Sequence, residues 1–283
     1  MKNVIYYFSG TGNSLRTARI IAEELGGALL IPMRSGPVDA SLPRAERTGF
    51  VCPVYEWDVP KVVKSFVARL ELDPQVYTFM VATYIAIHGR CFETVDGLLR
   101  EKGSRLLYGR ALRCVASQCI AYEPFPPPRL MVPFMERRSR MIGREIAAGK
   151  QRKYPSMSPV TKVLYPKMMV PFLEVQGDYD KGFSSSGACI GCQVCRKVCP
   201  CGNITFLEDR PVWNHMCEGC NACVVYCPAK AIQFKTPDAY VRLNNPITKR
   251  LGLPDGRTRY HNPHITAGDL MQAGETIVPP NRP

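Results

Sequence analysis

The chain has 283 residues, 46% of them hydrophobic, with 25 prolines, 13 cysteines and a formal net charge of +13. This apolar content excludes global disorder and allows two domains of ordinary size. No run approaches the roughly 18 apolar residues that span a bilayer, and the clustering of nine cysteines between Cys189 and Cys227 argues against a secreted disulfide scaffold.

Strand-like and helix-like patterns alternate through the first 150 residues. Val4–Phe8 is an apolar run, too short for a secretion signal, and reads as a buried parallel strand. The segment Ser9-Gly10-Thr11-Gly12-Asn13-Ser14 follows, and a helical pattern from Asn13 to Leu25 stops at Gly26-Gly27. Ala28–Pro32 and Gly49–Val54 read as strands, Val59–Leu70 as a helix and Tyr77–Thr83 as a strand. Cys91–Lys102 reads as a helix, Leu112–Ala116 as a fifth strand and Pro133–Ala148 as a helix. This alternation predicts a doubly wound, five-stranded parallel sheet in the order 2-1-3-4-5. Residues 151–183 form a Pro-rich connector, whose prolines argue against a continuous long helix. Residues 184–236 carry two cysteine combs and read as a small α+β domain, and 237–283 as an irregular extension.

The combs are Cys189-x2-Cys192-x2-Cys195-x3-Cys199-Pro200 and Cys217-x2-Cys220-x2-Cys223-x3-Cys227-Pro228. This is the bacterial ferredoxin run, in which three cysteines hold one [4Fe–4S] cluster and the fourth holds the other. By that pattern Cys189, Cys192, Cys195 and Cys227 ligate one cluster, and Cys217, Cys220, Cys223 and Cys199 the second. Zinc is the alternative for Cys-x2-Cys pairs, but it accounts for neither the third cysteine nor the Cys-Pro. Cys201 is surplus, and Cys52, Cys91 and Cys114 read as small core residues. Clusters need reduced thiolates, which points to an anaerobic cytoplasm.

The Ser9–Ser14 segment sits where an open α/β sheet presents helix amides to an anion. It lacks the lysine of a nucleoside-triphosphate loop and the Gly-x-Gly-x-x-Gly of a dinucleotide site, and suits one terminal phosphate monoester. Between Arg129 and Lys153 lie eight basic and two acidic residues. With no nucleic-acid motif nearby, this stretch suits a solvated helix, an acidic redox partner or a peripheral contact with an anionic membrane, rather than nucleic acid.

The Ser9–Ser14 loop resembles the FMN phosphate loop of flavodoxins. Together with the combs, Pro211-Val-Trp213, Cys227-Pro-Ala-Lys-Ala-Ile232 and Arg259-Tyr-His-Asn-Pro263, the chain resembles the ferredoxin family that carries an N-terminal flavodoxin-like domain. The resemblance implies FMN at Ser9, Gly10, Thr11, Gly12, Asn13 and Ser14, with Tyr55, Trp57 and Tyr84 against the flavin ring. Glu56 and Asp58, if beside that ring, would lower its potential. Ser117–Pro124 departs from the Met-Pro-Asx-Asn-Tyr pattern of the family, leaving Tyr122 as a ring-edge candidate and Cys119 as a buried thiol. The expected function is electron relay between two [4Fe–4S] clusters and FMN. A flavoenzyme reducing a small organic acceptor, with Tyr84, His88 or Tyr122 as proton donor, is the main alternative, and a non-redox docking module the third.

Overall fold

In the computed structural model, which describes residues 2–36, 45–243, 248 and 251–277, Asn3–Tyr7 (β1) is buried along its whole length. Its side chains alternate between two apolar layers: Val4, Tyr6 and the following Phe8 enter one, Ile5 and Tyr7 the other. Asn13–Glu24 (α1) follows, and then Ala28–Pro32 (β2), Arg47–Pro53 (β3), Lys61–Arg69 (α2), Tyr77–Tyr84 (β4), Cys91–Arg100 (α3), Tyr108–Arg113 (β5) and Pro128–Ala147 (α4). Helices α1 and α4 cover one face, and α2 and α3 the other. The parallel strands run β2-β1-β3-β4-β5, the flavodoxin-like order.

The fifth strand lies four residues earlier than its apolar run suggests. Arg110 precedes that run, yet it is accommodated in β5 because its guanidinium reaches Glu145 of α4 at 3.1 Å. The Tyr108 hydroxyl donates to the same carboxylate at 2.6 Å. Residues 114–117 leave the sheet.

The connector also departs from its reading. Pro159–Glu174 (α5) is a 16-residue helix with Pro166 and Pro171 inside it. Ser158 caps it by accepting the Thr161 amide at 3.1 Å. Much of α5 is exposed, so carbonyls left unpaired by the prolines can turn to water. A 3-10 stretch, Gln176–Gly182, then leads into Phe183–Ser185 (β6).

In the comb region come Val194–Val198 (α6), Ile204–Leu207 (β7), Arg210–Trp213 (β8), Ala222–Val225 (α7) and Ile232–Phe234 (β9). β6 pairs with β9 and β7 with β8, both antiparallel. The duplication read in the sequence reappears in the backbone. Gln193 and Asn221 are left-handed (φ 59 and 58) just before α6 and α7, and Gly191 and Gly219 match at 66 and 65. His215, beside the second comb, donates its amide to buried Asp180 at 2.9 Å and approaches it through Nδ1 at 2.8 Å.

Among its described residues the C-terminal segment carries short regular elements between stretches of coil and turn. After Asp238–Arg242 (α8) and Ala267–Met271 (α9), Glu275–Ile277 (β10) adds a sixth, antiparallel strand outside β2. The five-strand expectation is corrected here. Arg19 of α1 ties the new strand down, reaching Glu275 at 2.6 Å and Asp269 at 2.7 Å, and β10 covers what would be an open edge.

Candidate functional site

The carboxyl ends of β1, β3, β4 and β5 open onto one cavity of about 370 Å³. Ser9, Gly10, Thr11, Asn13, Ser14, Tyr55, Trp57 and Tyr84 all line it. Gly12 does not. It stands behind the loop at φ 93 as the residue preceding α1, and its amide donates to Ser9 Oγ at 3.1 Å. The hydroxyls of Thr11 and Ser14 meet those of Ser117 and Thr83 at 2.7 and 2.8 Å. Each hydroxyl retains capacity for another partner, and the first amides of α1 have none within the helix. The loop can therefore cradle an anion.

A clamp from the far end of the chain holds this loop. Asn13 Oδ1 accepts from Tyr260 Oη at 3.3 Å and from Asn262 Nδ2 at 3.2 Å, and the Asn262 amide donates to the Thr11 carbonyl at 2.8 Å. Asn262 is fully buried. Asn262→Ala is expected to lower stability by about 2 kcal/mol, since it strands buried polar partners. An unchanged denaturation midpoint would refute the clamp.

Tyr55 and Asp58 exchange two backbone hydrogen bonds of 2.8 Å, with Glu56 and Trp57 left-handed at φ 47 and 58. Two non-glycine residues in this type I′ turn store strain, and the turn presents both to the cavity. Asp58 is held elsewhere, paired with Lys64 at 2.7 Å and accepting the Val59 amide at 2.8 Å. Only Glu56 can exert the electrostatic effect expected of the two. Burial raises the Glu56 carboxyl above its ordinary 4.5. The native chain therefore binds more protons than the unfolded chain between those values. Stability from this group is full below pH 4.5 and lost as pH rises through the raised value. Glu56→Gln should flatten that decline, and urea titrations with the same pH slope in both proteins would sink the assignment.

Cys199, Cys217, Cys220 and Cys223 surround a second, small void together with Cys201. In the other group, the Cys195 thiol lies within electrostatic reach of Cys227, Cys192 and Cys189. The void thus brings Cys199 and Cys201, from the end of the first comb, beside three cysteines of the second. Among the described residues, no three His, Cys, Asp or Glu side chains are set to hold a lone metal ion. Burial pushes Cys220 up to about 12 and Cys195 to about 11, a cost to thiolates that a cationic group between them would offset. Cys201 is buried, and its thiol holds that of Cys199 below the ordinary value.

Void and cavity share a wall. Cys220, Glu218 and Asn221 line both. A Cβ on Gly10 would stand 2.3 Å from the Cys220 carbonyl oxygen and 2.8 Å from its Cβ. Only glycine lets the anion loop touch the comb this closely.

No family model matches this chain. No curated protein matches it either. Among solved structures it is similar in part to the Streptococcus pneumonia TIGR4 flavodoxin, at 15% identity over 53% of this chain and 99% of that one, TM-score 0.38. It is also similar to two-electron reduced Megasphaera elsdenii flavodoxin, at 19% identity over 38% of this chain and 84% of that one, TM-score 0.33. The fold assignment stands on the chain's own strand order. No helix among the described residues is long and apolar enough to cross a membrane.

Sequence reasoning missed several cavity residues. Met169, Phe172, Gln176 and Tyr179 come from the connector and Tyr240 from α8. Glu218, hidden between two comb cysteines, accepts the Val62 amide at 2.7 Å at the start of α2 and the Gln176 side chain at 3.4 Å. Tyr122 lines the cavity, as does Cys114, which is also part of the buried core. Cys119 does not line it, and burial pushes its thiol to about 11.

Proposed function

We propose that this chain is an electron-transfer flavoprotein that relays single electrons between two [4Fe–4S] clusters and FMN. Cys189, Cys192, Cys195 and Cys227 would hold one cluster, and Cys199, Cys217, Cys220 and Cys223 the other. Ser9–Ser14 would bind the FMN phosphate, with Tyr55, Trp57 and Tyr84 bordering the ring. The observation that carries this reading is the contact of Cys220 with Gly10, which brings a cluster ligand against the phosphate loop with no space for water between them. Bound, the clusters supply one-electron and the flavin one- or two-electron chemistry. The chain's own part is to fix the spacing and keep it dry. Met169, Phe172 and Tyr179 wall the cavity on the connector side, and Glu218 locks the comb to α2.

Anaerobic purification followed by iron, sulfide and flavin counts and a redox titration tests the proposal. Iron, sulfide and FMN should all be present, and reducing the clusters should bleach the flavin of the same molecule. Zinc in the comb, or no FMN uptake, would overturn it. A second reading, reduction of a small organic acceptor at the flavin, is favoured by one observation: Gln176 lines the cavity and its buried Oε1 has no partner. Stopped-flow mixing of the reduced protein with candidate acceptors separates the two. A rate that saturates with one small molecule supports the enzyme.

A further inference from the structure

Trp213 ends β8 with its indole stacked on Phe183, ring centroids 5.6 Å apart and planes at 21°. Its one polar group, Nε1–H, is buried and has no partner. An indole nitrogen can only donate, and a buried N–H without an acceptor costs about 1–3 kcal/mol. Native proteins rarely leave such a group without an explanation. Trp213 borders the void enclosed by Cys199, Cys217, Cys220 and Cys223. Those thiols bring no acceptor of comparable strength while protonated. Asn221, whose Oδ1 is likewise buried without a partner, borders the same void, so this is a space with unmet polar groups and not an apolar packing defect.

We propose that Trp213 donates its indole N–H to a sulfur of the cluster held by these four cysteines and thereby raises that cluster's reduction potential above that of the other. The proposal rests on the iron–sulfur reading above. Its physical basis is that an N–H dipole aimed at cluster sulfur favours the more negative, reduced state. The consequence is directional. The comb group containing Cys192 is open to solvent at that residue, whereas the Trp213 group adjoins the cavity. An electron entering at the exposed cluster is drawn inward to the one beside the flavin.

The test uses the full chain, purified anaerobically. The sequence has two tryptophans, Trp57 and Trp213. With indole-15N tryptophan incorporated, pulsed EPR of the reduced protein should show a 15N coupling to one of two cluster signals. Trp213→Phe, which keeps a ring to stack on Phe183, should abolish that coupling and shift the same cluster's midpoint potential to a more negative value, with the second cluster unmoved. Two cluster signals without 15N coupling in the labelled parent would overturn the proposal and leave the cluster reading standing. A parent with no iron and no sulfide would overturn both. If the Phe variant fails to assemble, labelled Trp57→Phe decides: a retained 15N coupling assigns it to Trp213, and its loss overturns the proposal.

Discussion

Cys199→Ala is expected to abolish the cluster proposed for the second comb and to leave that proposed for the first, although Cys199 belongs to the first. Cys227→Ala should do the converse. The reason is the crossed arrangement: Cys199 lines the void with Cys217, Cys220 and Cys223, while Cys227 lies in reach of Cys195. Each substitution should halve the bound iron and remove one of two EPR signals. Cys201→Ala is the control, because Cys201 lines the same void and is not among the proposed ligands, so the iron count should hold. Loss of the first comb's cluster in Cys199→Ala would show that each comb ligates its own cluster.

The second large effect is expected at Gly10. Alanine there brings a Cβ to 2.3 Å from a backbone oxygen of Cys220, which no rotamer change relieves. Either the phosphate loop or the comb must move. Overpacking of this kind costs about 1–3 kcal/mol, so FMN affinity should fall by roughly tenfold to a hundredfold, and electron transfer from cluster to flavin should slow further as the spacing opens. Gly97→Ala is the matching control. Gly97 lies in α3 with nothing near its added Cβ, and alanine suits a helix interior better than glycine. Flavin titration by fluorescence compares the two, and equal affinities would remove the contact from the argument.

Local patterns made much of this molecule legible. After Asn3, buried β1 is an unbroken apolar run, and the repeated cysteine spacing identified a duplicated unit whose left-handed Gln193 and Asn221 repeat as well. What the sequence hid depends on partners far along the chain. Arg110 looks like a strand breaker until Glu145 is placed opposite it. Pro166 and Pro171 argue against a helix until the exposure of α5 is known. Glu275 and Asp269 give no hint that Arg19 will pull a strand onto the sheet edge. The closeness of Gly10 and Cys220 is of the same kind, since two glycine- and cysteine-rich loops 210 residues apart share no local signal.

The clamp on Asn13 has a consequence for biogenesis. Tyr260 and Asn262 reach the phosphate loop from 247 and 249 residues away. At about 5–20 residues per second, a ribosome needs on the order of ten to fifty seconds to bridge that interval. During it the α/β part can collapse while its nucleotide loop stays untied, and the comb region emerges before the knot is drawn. The Ser9–Ser14 loop is thereby left untied until Tyr260 and Asn262 have been made, so that a nascent chain halted before Tyr260 lacks the clamp on Asn13.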